Sequence, residues 1–151
     1  MTPPVTKPTL INPPDLATPR GYSHGVLAPA GHRLLALAGQ IGWDREGRLQ
    51  SGFGAQFTQA LDNLMAVLRA AGGEAQHLLS LRLYVTDKHA YNAALREVGQ
   101  AYRARLGRYF PAMALVQVAA LLEDGALVEI EGLAALPPDP AQTPDPAQDR
   151  P

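Results

Sequence analysis

Apolar positions along the chain follow two periods. Leu79, Leu81, Leu83 and Val85 alternate with Ser80, Arg82, Tyr84 and Thr86, the two-residue repeat of a half-buried strand. Phe57, Leu61, Leu64, Met65 and Leu68 instead share one helical face, which predicts a helix from about Ala55 to Ala71, ended by Gly72-Gly73. Tyr91, Leu95, Val98, Tyr102 and Leu106 repeat the pattern in a second helix, which Asp87 can cap and Gly107 and Pro111 close. Before the first helix, the runs Tyr22 to Leu27 and His32 to Gln40 flank the turn Ala28-Pro29-Ala30-Gly31 and read as an opening hairpin. After the second, Ala112 to Leu121 and Leu127 to Leu133 flank Glu123-Asp124-Gly125 and read as a closing hairpin. The expected order is β-β-α-β-α-β-β, an α+β domain with two helices on one face of a mixed sheet.

That architecture leaves one sheet face without helices. Met113, Leu115 and Gln117 alternate with Ala114, Val116 and Val118, so both faces of that strand carry apolar side chains. A second copy of the chain is the expected cover. In the last strand, Val128 and Ile130 point one way and Glu129 and Glu131 the other. Carboxylates opposite a buried edge make this the first place to look for chemistry.

Composition narrows that chemistry. The chain has 151 residues, enough for one domain, and a formal net charge of -1 gives no electrostatic pull toward nucleic acid or anionic lipid. It has no cysteine, which removes disulfides, thiolate metal sites and thiol nucleophiles. His24, His32, His77 and His89 are scattered without a metal-ligand spacing, and Gly52-Phe53-Gly54 lacks the lysine and spacing of a phosphate loop. No metal or cofactor is expected. No apolar run reaches the ~20 residues of a membrane span, and the N-terminus lacks the apolar stretch of a signal peptide, so a soluble cytoplasmic protein is expected. Prolines dominate residues 1–20, read as an extended arm, and Pro-Asp-Pro-Ala-Gln occurs twice in residues 137–151, read as a disordered tail. The folded domain is expected at 21–136.

Within it, several stretches in this order resemble the RidA (YjgF, L-PSP) family: Gly21-Tyr22-Ser23, Ala38-Gly39-Gln40-Ile41-Gly42, Gln59-Ala60-Leu61-Asp62-Asn63-Leu64, Ala70-Ala71-Gly72-Gly73, Leu83-Tyr84-Val85-Thr86-Asp87, Phe110-Pro111-Ala112 and Val128-Glu129-Ile130-Glu131. The resemblance implies a chorismate-mutase-like fold and a homotrimer with a central barrel and small-molecule clefts between subunits. It also implies hydrolysis of enamines and imines to 2-keto acids and ammonia.

Members active in that reaction carry an arginine after Pro-Ala that grips the substrate carboxylate, and a glutamate in the last strand that holds water. The glutamate falls on Glu129, but the arginine position holds Met113, whose thioether has neither charge nor donor. A serine before Gly-Gln is replaced by Ala38, and an asparagine of the second helix falls on Arg96. The expected site is therefore Glu129 as the catalytic group, partly desolvated against Met113 and Leu115, with Tyr22, His24 and Gly39 nearby. Arg96 is considered as a substitute for the missing cation. Two readings stay open: an imine or enamine hydrolase with an altered substrate, and a non-catalytic metabolite-binding or chaperone-like trimer. A ribonuclease, with no basic stripe behind it, ranks last.

Overall fold

A computed structural model describes residues 7–139. Three short or long strands precede the first helix: β1 (Thr9–Ile11), β2 (Gly25–Leu27) and β3 (Arg33–Ile41). Helix α1 (Phe53–Ala70) and a 3-10 turn lead to β4 (Leu78–Val85). Then come α2 (Lys88–Ala93), α3 (Leu95–Leu106), β5 (Ala112–Gln117) and β6 (Val128–Leu136).

The main sheet has the order β3-β6-β4-β5. β4 and β5 run parallel, while β6 is antiparallel to both β3 and β4. The sheet is mixed, as expected, but neither hairpin forms. β2 pairs with β1 from the proline-rich arm rather than with β3. At the other end, β4 stands between β5 and β6, so the Glu123-Asp124-Gly125 turn belongs to a loop that carries the chain across the end of β4. Backbone bonds fix that crossing: Val118 N–H donates to Val85 C=O at 2.8 Å, and Thr86 N–H donates to Leu127 C=O at 3.1 Å. The predicted second helix is two helices with a break at Ala94. Asp87 caps the first of them by accepting a hydrogen bond from His89 N–H at 2.8 Å.

α1 supplies one wall of the core. Phe57, Leu61, Leu64, Met65 and Leu68 are buried, as the spacing predicted, against Leu81, Leu83, Val85, Val128 and Ile130 from the sheet. Each such side chain contributes about 1.5–3 kcal/mol by leaving water. Polar ties fix how the layers meet. Buried Gln56 donates from Nε2 to the carbonyls of Gln50 and Gly125 at 3.1 and 3.0 Å, and its Oε1 accepts from Leu127 N–H at 2.8 Å. Asn63 Nδ2 donates to the carbonyls of Ile41 and Trp43, which binds the end of β3 to α1. Asp62 takes a two-pronged bond from Arg105 at 2.5 and 2.9 Å and joins α1 to α3.

The face without helices carries Leu34, Val116 and Leu133, exposed by 73%, 47% and 37%. Arg82, Tyr84, Glu129 and Glu131 share that face by register. Of the C-terminal tail only residues 137–139 are described, and the rest of that expectation lies outside the described residues.

Candidate functional site

Two groups of residues carry features beyond what packing requires, and they lie on opposite faces of the sheet. The first centres on Glu129. Its neighbour two residues on, Glu131, is engaged: the Tyr84 hydroxyl donates to Oε1 at 2.5 Å and Arg82 Nη1 lies 3.7 Å away. That hydrogen bond holds the Tyr84 hydroxyl above the ordinary phenol pKa. Glu129 is half-buried and makes no hydrogen bond or ion pair among the described residues. It sits over Gly39, at an irregularity where β3 carries one residue more than β6 between paired positions. A Cβ on Gly39 would overlap the Glu129 carboxylate where it lies, so a larger residue there would push that side chain aside. Sequence spacing could not pair these two residues, because a bulge between Leu37 and Gln40 sets the register.

The second group lines a cavity of about 250 Å³ between α3 and the sheet. Its wall from the helices is Tyr91, Leu95, Val98, Gly99, Tyr102 and Arg103; Phe57 and Leu61 of α1, Leu81, Leu83, Met113 and Ile130 of the sheet, and Gly21 and Phe110 complete it. Aromatic pairs stiffen the wall. Tyr102 stacks on Phe110 with centroids 5.7 Å apart, and Tyr91 meets Phe53 edge-on at 5.9 Å. The Tyr102 hydroxyl donates to Tyr109 C=O at 2.8 Å, and burial raises the pKa of both Tyr91 and Tyr102.

These placements revise two expectations. Met113 pairs with Leu81 and Leu115 with Leu83, so both point toward the helices, whereas Glu129 pairs with Tyr84 on the open face. Within one chain Glu129 is therefore not desolvated by Met113 or Leu115. Arg96 is exposed and absent from the cavity wall, because one residue along a helix turns the side chain by about 100° from Leu95. The cation at the cavity is Arg103, which the sequence reading missed; its spacing of eight from Leu95 and four from Gly99 was the available signal.

Tyr22 and His24 do meet, with ring centroids 5.4 Å apart and planes at 86°, just before β2. His24 is held in the arm: Nε2 lies 2.7 Å from Ala17 C=O and its N–H donates to Asn12 Oδ1 at 2.8 Å. Between them, buried Ser23 donates from Oγ to Phe110 C=O at 2.6 Å and from N–H to Pro111 C=O, which lays Gly21 along the cavity. Trp43 is not in the cavity wall. Among the described residues no group of three or more His, Asp or Glu could hold a metal ion, and no helix is long and apolar enough to cross a membrane.

The comparisons with known proteins agree with this architecture. The human 2-iminobutanoate/2-iminopropanoate deaminase is 35% identical over 102 residues, which cover 66% of this chain and 69% of that protein. Protein DfrA of Myxococcus xanthus is 35% identical over 106 residues, 66% of this chain and 74% of its own length. The crystal structure of YyfB from Yersinia pestis, a Rid-family protein described as of unknown function, superposes with a TM-score of 0.76 at 34% identity, covering 86% of this chain and 99% of that one. The yjgF gene product of E. coli superposes at 0.62 with 29% identity, covering 82% of this chain and 93% of that one. A family model described as Endoribonuclease L-PSP matches residues 14–136. With the fold shared and that span matched, the chain belongs to the Endoribonuclease L-PSP family, the family of the RidA and YjgF proteins.

Proposed function

We propose that this chain is a hydrolase of imines or their enamine tautomers, working as a homotrimer whose sites form where one subunit's open sheet face meets the next subunit. The observation that carries the reading is Glu129: a half-buried carboxylate, without a hydrogen bond or ion pair among the described residues, over a glycine that leaves it room. The names of the human, goat and bovine relatives, all 2-iminobutanoate/2-iminopropanoate deaminases, support the reaction class. Exposed Leu34, Val116 and Leu133 support burial of the open face. Because Met113 and Glu129 face opposite ways in one chain, a site that uses both draws them from different chains.

In the reaction, Glu129 accepts a proton from water as the oxygen adds to the imine carbon. The nitrogen takes up a proton to give a carbinolamine. The C–N bond then breaks, a carbonyl forms, and the nitrogen leaves as ammonia once a second proton reaches it. Overall, one imine and one water give one ketone and one ammonia. The test is ammonia release from freshly generated 2-imino acids, beside the molar mass in solution. Accelerated release and a mass of three chains are expected. A folded protein that accelerates none of the imines, yet binds their 2-oxo products, would establish the binding module instead; a monomer at working concentration would overturn the shared site.

A further inference from the structure

Met113 leaves the site without the cation that the resemblance places there, but the cavity wall contains another. Arg103 is the one charged residue in that wall. It lies on the same stripe of α3 as Leu95 and Gly99, two turns along from the first and one from the second. Its guanidinium makes no hydrogen bond or ion pair among the described residues. Arg105, two positions on, shows what a structural arginine does in this helix: it grips Asp62 with two bonds.

Gly99 supplies an independent observation. A glycine in a helix interior is unfavourable relative to alanine, so a reason for it is expected in the backbone or the packing. Neither gives one. Its φ is not positive, and a Cβ built there meets no atom within 4 Å. What the glycine does is leave space in the cavity it lines. That cavity, at about 250 Å³, exceeds the roughly 150 Å³ that admits benzene to an apolar protein interior. The Tyr91 hydroxyl, also in the wall, has no hydrogen-bond partner among the described residues.

We propose that Arg103 anchors the substrate carboxylate and that the Gly99 cavity receives the substrate's side chain, so the preferred substrates are 2-imino acids with an aromatic or branched side chain rather than two- or three-carbon ones. This rests on the hydrolase reading and deepens it. Arg103 replaces the missing cation from a helix, at a position where its fork can still meet two carboxylate oxygens.

The experiment measures binding of two stable 2-oxo acids, 2-oxo-3-phenylpropanoate and 2-oxobutanoate, by titration calorimetry on the full chain. The phenyl acid is expected to bind at least tenfold more tightly. Arg103→Gln should weaken both acids tenfold or more, with Arg103→Lys recovering part of the loss, while Arg69→Gln on the far end of α1 changes neither. Gly99→Leu should weaken the phenyl acid alone, and Gly99→Ala should do so in smaller measure. Thermal melts confirm that each variant is folded. Unchanged affinities in Arg103→Gln, or a Gly99→Leu chain that still prefers the phenyl acid, would overturn the assignment. Ammonia release separates it from the reading beneath it. The expected binding pattern without release from 2-imino-3-phenylpropanoate sustains the Arg103 pocket and overturns hydrolysis. Release that is indifferent to Arg103→Gln sustains hydrolysis and overturns the pocket.

Discussion

Glu129→Gln is expected to slow ammonia release by about 10²–10⁴-fold, the usual worth of a positioned general base, while the affinity for 2-oxo acids stays close to that of the parent. The substitution is nearly isosteric, so the side chain still fits over Gly39. An amide can hold water but cannot take its proton. Little structural damage should accompany the loss, because the parent carboxylate has no hydrogen bond or ion pair among the described residues to forfeit. Glu131→Gln provides the contrast. It disturbs real partners, the Tyr84 hydroxyl and Arg82, yet should keep most of the activity. Turnover that survives in Glu129→Gln, or that dies equally in Glu131→Gln, would place the proton acceptor elsewhere.

Gly42→Ala should be the most damaging single methyl in the fold. A Cβ at Gly42 would overlap the Cα, Cβ and carbonyl oxygen of Gln56 on α1. Two of those three atoms are backbone, so no side-chain rotation relieves the clash, and α1 must move off the end of β3. Overpacking of this kind costs about 1–3 kcal/mol. The shift also pulls buried Gln56 from the Gln50 and Gly125 carbonyls and from Leu127 N–H, and each polar end of that amide left unsatisfied costs ~1–3 kcal/mol more. The sum is at least about 3 kcal/mol. At roughly 2–4 °C per kcal/mol for a chain of this size, the melting temperature should fall by about 6 °C or more at fixed protein concentration. Gly99→Ala is the matched control, an added methyl in open space, and should not lower it. An undiminished melting temperature in Gly42→Ala would show that this approach of strand and helix relaxes freely.

Periodicity carried the local structure. The buried stripe of α1, the inward Leu81, Leu83 and Val85, and the split between Val128 with Ile130 and Glu129 with Glu131 were all legible, because side-chain direction follows directly from residue spacing. Strand order was not. Ala28-Pro29-Ala30-Gly31 and Glu123-Asp124-Gly125 say that the chain bends, but not which strand it meets next. β2 found a partner in the proline-rich arm and β6 slid between β3 and β4, choices made by packing distant in sequence. The site suffered from the same limit. Apolar residues on both sides of β5 concealed which side faces the helices, so Met113 was set beside Glu129 when the sheet separates them. Arg96 drew attention because the resemblance places an asparagine there, whereas Arg103 follows from the stripe that also contains Leu95 and Gly99.

That separation by the sheet has a genetic meaning in the proposed assembly. A chain crippled at Glu129 still carries an intact cavity, and a chain crippled at Arg103 still carries an intact carboxylate. Neither homotrimer works. Unfolded together and reassembled, the two defective chains should pair a good cavity with a good carboxylate at some of their junctions, and activity should return from a mixture of two dead proteins. A double mutant carrying both lesions should rescue neither.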